Sequence, residues 1–103
     1  MDHAGEVETS LALAYFGHLV NKNTDGSLNA DNGETASTRF DGVNKGWVSI
    51  TRPWHLLTTN TGAGNPHAAT AEKGERLMEI MVERLSVFLV DLANSDLDGQ
   101  FPF

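Results

Sequence analysis

The apolar residues Val7, Leu11, Ala14 and Tyr15 recur at spacings of four, three and one, the rhythm of one face of an α-helix. The pattern predicts a first helix from Gly5 to Phe16, with Gly17 suited to its C-terminal cap and "HLV" leading the chain away. A stronger pattern lies near the other end. Leu77, Met81, Leu85, Phe88 and Leu92 form a continuous stripe, and Met78, Val82, Leu89 and Val90 widen it beyond the narrow face of a surface helix. Thr70 is a good N-cap, and Glu72 falls in the first turn, where the helix dipole favours negative charge. A second helix is therefore expected from Ala71 to Ala93, built to be covered on more than one side.

Between the helices the pattern is weaker. Residues 21–45, "NKNTDGSLNADNGETASTRFDGVNK", show neither helical nor strand periodicity and read as a long polar loop. Structureless connections of this length are uncommon inside a compact domain, so the loop is functional, mobile, or laid over protein outside this chain. "GWVSITRP" alternates Val48 and Ile50 against Trp47, Ser49 and Thr51 and stops at a proline, which makes it the one convincing strand. "WHLLTTNTGAGNP" is rich in turn residues, and "SDLDGQFPF" reads as an extended end. Two helices and a lone strand can neither pair the strand's backbone groups nor bury so wide a stripe. The pattern thus implies a chain that needs further polypeptide to complete its fold.

A length of 103 residues bounds the chain to one small domain or part of one. With 14 acidic against 7 basic residues the net charge is −7, and the basic residues are scattered. That balance argues against a nucleic-acid surface. The absence of cysteine removes disulfides, thiolate metal sites and a cysteine nucleophile. No basic region precedes an apolar stretch at the N-terminus, and apolar runs such as Val87 to Val90 are far too short to cross a bilayer. A soluble, cytoplasmic protein without membrane association is the expectation.

The densest chemistry is "HAGEVETS", residues 3–10. His3, Glu6 and Glu8 stand at a helix start, where free backbone N–H groups and the dipole can orient carboxylates or attract an anion. On a helix Glu8 lies about one turn beyond Ala4, whereas Glu6 points to a different side. Both acids also fit a purely local role as first-turn residues that stabilise the helix. His18, His55 and His67 share no metal-ligand spacing and read as surface or helix-end residues. Trp47 and Trp54 suit an apolar pocket or an interface. "TGAGNP" lacks the spacing of a phosphate-binding loop and reads as a turn.

Three segments, "DHAGEVETSLALAYFGHLV", "GWVSITRPW" and "TGAGNPHAATAEKGERLMEIMVERLSVFLVDL", together resemble the C-terminal part of the creatininase (creatinine amidohydrolase) family. The motifs that carry the likeness are H-A-G-x-x-E-T-S and G-N-P followed by A-T-A-E-K-G. The resemblance implies an α/β fold with three layers, a mostly parallel central sheet flanked by helices, of which residues 1–103 would be the C-terminal segment of a single domain. It implies metal-dependent hydrolysis of a cyclic or small amide C–N bond by water on a dinuclear zinc or manganese centre, and a homo-oligomer. Carried over by position, His3 matches the histidine that contacts substrate and delivers a proton to the leaving nitrogen. Glu8 matches a glutamate at the metal or just beyond it, Glu6 has a supporting part in substrate binding, and Thr9 and Ser10 support the helix start.

The chain departs from the family pattern by lacking the segments E-x-H-G-x-H-L-P-x-x-T-D and N-G-H-G-G-N, which supply most metal ligands there. His3 and Glu8 cannot hold two metal ions, so the chain alone is expected to retain no metal and to be inactive. Its expected partners are a small amide substrate and the missing N-terminal portion or a companion chain. A truncated gene product, a fragment and a true subunit all fit. The alternative is a non-catalytic acidic interaction module derived from the family.

Overall fold

The computed structural model describes residues 2–103. In chain order it contains α1 (Glu6–Phe16), a 3-10 turn (Gly17–Leu19), α2 (Asp41–Asn44), α3 (Trp54–Leu57), a second 3-10 turn (Pro66–Ala68) and α4 (Ala71–Ala93). The two long helices stand where their periodicities place them. Gly5 is the N-cap of α1 but has no side chain to offer, and Asp2 supplies the cap instead: its Oδ2 accepts from Glu8 N at 3.3 Å. At the far end Gly17 is right-handed (φ −53°, ψ −27°), so the helix tightens into the 3-10 turn rather than closing with a left-handed glycine. α4 starts as expected, with Thr70 Oγ1 accepting from Lys73 N at 3.2 Å.

α1 crosses α4 at Ser10 and Gly74, both buried. Ser10 lies among Val7, Leu11 and Ala14 on the predicted face, yet it is the small polar residue that is fully enclosed while Val7 and Tyr15 stay exposed. Its hydroxyl accepts from Thr70 N at 3.2 Å, which ties the middle of α1 to the first residue of the α4 turn. Lys73 adds a second tie, its Nζ reaching Glu6 Oε1 at 2.5 Å and Ala68 O at 2.8 Å.

The expected strand does not form. Residues 47–51 carry no ladder, and Val48 and Ile50 are 58% and 48% exposed. A strand exists only through its neighbour, and none is present among the described residues. Among the described residues the β-structure consists of four isolated antiparallel bridges, His3–Ala63, Lys22–Leu28, Gly33–Gly64 and Thr35–Thr58. The polar loop is correspondingly less free than its composition suggests. It turns at Gly26 (φ 85°), carries the short helix α2, and is pinned by Asn60 Nδ2 donating to Asn32 O at 3.0 Å and by His67 Nε2 within 2.8 Å of Ala30 O.

The apolar stripe of α4 is uncovered from Met81 onward, with Leu85 and Phe88 each more than half exposed. The radius of gyration is 18.8 Å, against about 13 Å for a compact domain of 100 residues. Among the described residues the packing concentrates where α1 meets α4 and the two 3-10 turns, and in the bridged segments around His3.

Candidate active site

His3 is fixed by its backbone first. Its N–H donates to Ala63 O at 2.8 Å, and Ala63 N returns the bond to His3 O at 2.9 Å. Ala63 is itself buried. The approach is close because glycines line it. A Cβ at Gly5 would run into the Asp2 carboxylate, and one at Gly64 would lie 3.1 Å from Gly5 Cα; Gly64 also has φ 130°, a region that side chains rarely adopt. On the opposite side Gly64 exchanges two backbone bonds with Gly33, at 2.8 and 3.0 Å. Residues 62–64, which the sequence presents as a turn, are therefore the shared partner of the His3 segment and the polar loop.

The His3 imidazole stands at the start of α1 with Nδ1 3.5 Å from Glu8 Oε2. This is a contact of ion-pair length, longer than a good hydrogen bond. Glu8 Oε2 is held by Ala4 N, which donates to it at 2.8 Å, and Ala4 has φ 52°, unusual for a residue with a side chain. Both side chains are about half exposed. Trp54, at the start of α3, meets the His3 ring edge to face, with centroids 5.1 Å apart and planes at 88°. His3 Nε2 has no hydrogen-bond partner among the described residues and is the ring nitrogen available to a bound molecule.

The structure thus brings His3 and Glu8 together and leaves Glu6 out of their group. Glu6 sits on another face of α1, in ion pairing with Lys73. It borders a cleft of about 580 Å³ between α1 and α4, while Glu8 borders a different one of about 400 Å³ shared with Val20, Leu28 and Pro66. Among the described residues His18, His55 and His67 make no hydrogen bond or ion pair with His3 or Glu8; His67 Nε2 lies 2.8 Å from Ala30 O instead. Asp2 and Trp54 are the residues of the site that periodicity did not single out. Asp2 acts from outside the helix, and only the N-cap rule, extended past a glycine, could have found it.

No group of three or more His, Cys, Asp or Glu side chains that could hold a metal ion occurs among the described residues. His3 and Glu8 offer two donors, one of whose oxygens already takes the Ala4 N–H. Zinc sites use at least three protein ligands, so the residues of this chain do not by themselves fit a metal centre.

A histidine and a glutamate are thus held together at one helix start, on a backbone of close glycine contacts. The sequence model of the creatininase family, described as creatinine amidohydrolase, matches residues 1–89, and the chain belongs to that family. Among solved structures it is similar to the one described as "Putative creatinine amidohydrolase from Bacteroides fragilis NCTC 9343", with 38% identity and a TM-score of 0.74. That likeness covers 94% of this chain and 36% of the other, so the chain spans about a third of the length of the protein it matches. No curated protein matches it in sequence. No helix is long and apolar enough to cross a membrane among the described residues.

Proposed function

We propose that this chain forms the proton-donor wall of a metal-dependent amidohydrolase that cleaves the C–N bond of a cyclic or small amide. The observation that carries the reading is the fixed pair of His3 and Glu8 inside a family-matched segment, with His3 Nε2 left open. Amide hydrolysis adds water oxygen to the carbonyl carbon and breaks the C–N bond, and the nitrogen leaves readily only if it is protonated as the bond breaks. An imidazole suits that task because its ordinary titration range lies near neutrality. His3 delivers the proton from Nε2 and regains one from the attacking water, so the net exchange is one water consumed. Glu8 faces Nδ1, which leaves Nε2 turned away from the carboxylate and towards the amide.

Metal dependence, with zinc or manganese, belongs to the same reading. Glu8 Oε1, free of hydrogen bonds among the described residues, is the atom of this chain that could join ligands from elsewhere. The remaining ligands, and the strands of a three-layer α/β domain, come from polypeptide equivalent to the rest of the Bacteroides protein, in the same chain or a companion one. The uncovered stripe of α4 and the unpaired segment 47–51 are the surfaces such polypeptide would cover. Homo-oligomers and a cytoplasmic location complete the proposal. The test is hydrolysis of creatinine-like lactams and other small amides by the chain joined to its complementing polypeptide, with and without His3→Ala. Turnover that vanishes with His3 supports the reading. Absence of turnover in a fully metallated assembly would leave the family's helices as an acidic interaction module.

A further inference from the structure

Trp54 and His3 are joined by more than their rings. The indole Nε1–H of Trp54 donates to Thr61 O at 3.2 Å, and His3 exchanges two backbone bonds with Ala63, two residues further on. From His3 the connection runs through Ala63 to Thr61, through the indole nitrogen to Trp54, and across the ring contact back to His3. The circuit closes through the ring contact, so a turn of the indole breaks its bond to Thr61 O and a turn of the imidazole loses the contact with the indole.

Trp54 is also the better anchored partner. It follows Pro53, whose φ of −55° sets the direction of the chain into α3. Its carbonyl accepts from both the N–H and the hydroxyl of Thr58, at 3.0 and 3.2 Å, and Thr58 is buried. Thr61, which accepts the indole N–H, is held at φ 71°, a conformation that a β-branched residue takes only when its surroundings fix it. An exposed histidine normally samples several orientations about its two side-chain torsions. Here an edge-to-face contact and the Glu8 carboxylate restrict the ring from two directions and leave Nε2 clear.

We infer that Trp54 is a positioning residue for His3, fixing the imidazole so that Nδ1 faces Glu8 and Nε2 faces the amide. The inference rests on the proton-donor reading of His3. Because the indole does not touch the reacting atoms, its loss acts on the orientation of the donor and not on binding. Trp54→Leu therefore lowers kcat about tenfold while KM stays within about twofold, since a misplaced group of this kind costs rate more than affinity. Trp54→Phe keeps a ring but loses the tether to Thr61, and recovers part of the lost rate.

A readout independent of turnover is the ring resonance of His3 in histidine-labelled chain. In the parent it is displaced by the indole ring current, and Trp54→Leu returns it towards the position of a free imidazole. Trp54→Phe retains part of the displacement, and Trp47→Leu changes nothing. His67, tethered to Ala30 O, reports whether the fold survives; if it moves in Trp54→Leu, Trp54→Phe decides. A His3 resonance indifferent to Trp54 replacement overturns the inference, as does unchanged kcat in a variant whose His67 is undisturbed. If His3→Ala itself keeps near-normal turnover, the proton-donor reading fails, whereas loss in His3→Ala with none in Trp54→Leu defeats only the role of Trp54.

Discussion

Ser10 and Gly74 touch backbone to backbone where α1 crosses α4, and a methyl group at position 74 would run into the Ser10 carbonyl and lie 3.0 Å from the Ala14 Cβ. Glycine inside a helix ordinarily costs about 1 kcal/mol relative to alanine. Here the sign reverses, because the obstructing atoms belong to backbone that cannot rotate away and overpacking costs about 1–3 kcal/mol. Gly74→Ala should destabilise the α1–α4 unit in denaturant melts followed by far-UV circular dichroism. Ser10→Ala should cost about 1–3 kcal/mol as well, by leaving Thr70 N without its acceptor. A Gly74→Ala protein as stable as the parent contradicts the crossing.

The uncovered half of α4 predicts self-association. A stripe running through Met81, Leu85 and Phe88 exceeds what a soluble monomer normally exposes in one place. Sedimentation of the isolated chain should show concentration-dependent oligomers, and Leu85→Glu with Phe88→Glu should shift it towards monomer while α4 stays helical. A well-behaved monomer at high concentration contradicts this.

Metal binding to the isolated chain should be weak and without fixed stoichiometry, because one imidazole and one carboxylate make a poor site. Calorimetric titration with zinc and with manganese is the measurement. Two tight sites per chain would contradict this.

On the proposed proton-donor reading, His3→Ala in the chain joined to its complementing polypeptide should lower kcat by about 10²- to 10⁴-fold, the range of a lost general acid, with bound metal nearly unchanged. Glu8→Ala should lose metal together with turnover. The two variants are to be assayed side by side for rate and for metal content. If His3→Ala strips the metal, the histidine is a ligand and not a donor.

The start of α4 should weaken in acid. The Glu72 carboxyl is held below its ordinary value, first by its own backbone N–H and then by the Thr70 hydroxyl. A carboxyl lowered on folding contributes stability that is fully present above its unfolded value near 4.5 and is lost as pH falls through the lower folded value. Helicity followed from neutral pH to acid should therefore fall less steeply in Glu72→Gln than in the parent below about pH 4.5. Identical profiles contradict a role for this carboxylate.

The long helices were readable because their information is local: a period, a cap and a first-turn acid suffice for Ala71–Ala93. α2 and α3 were not, since four residues hardly complete one turn and leave no period to detect. The strand at residues 47–51 failed for the opposite reason. Its alternation describes one side of a pairing whose other side is not in the described chain. Within the site, chemistry made His3 and Glu8 conspicuous, and helical spacing foretold that Glu6 would face elsewhere. The partnership of His3 with Ala63 left no trace in the sequence, because it is made by backbone atoms between glycines some sixty residues away. Ser10, expected to support the helix start, is instead the residue enclosed at the crossing, where a small hydroxyl fits and accepts from Thr70 N.

The pairing of His3 with Ala63 also sets when the site comes into being. A peptide ending at Val20 would contain His3, Glu6 and Glu8, yet it would lack both the Ala63 strand-like contact and the Trp54 ring that orient the imidazole. Bringing residues 3 and 63 together closes a loop of about 60 residues, at an entropic cost on the order of 4 kcal/mol from the logarithmic length dependence. Local helix formation incurs no such cost. During folding α1 and α4 can therefore form early, and the geometry of His3 is a late event, contingent on the glycine-lined segment finding its place. Proper orientation of the His3 imidazole is in this sense a record of completed tertiary structure.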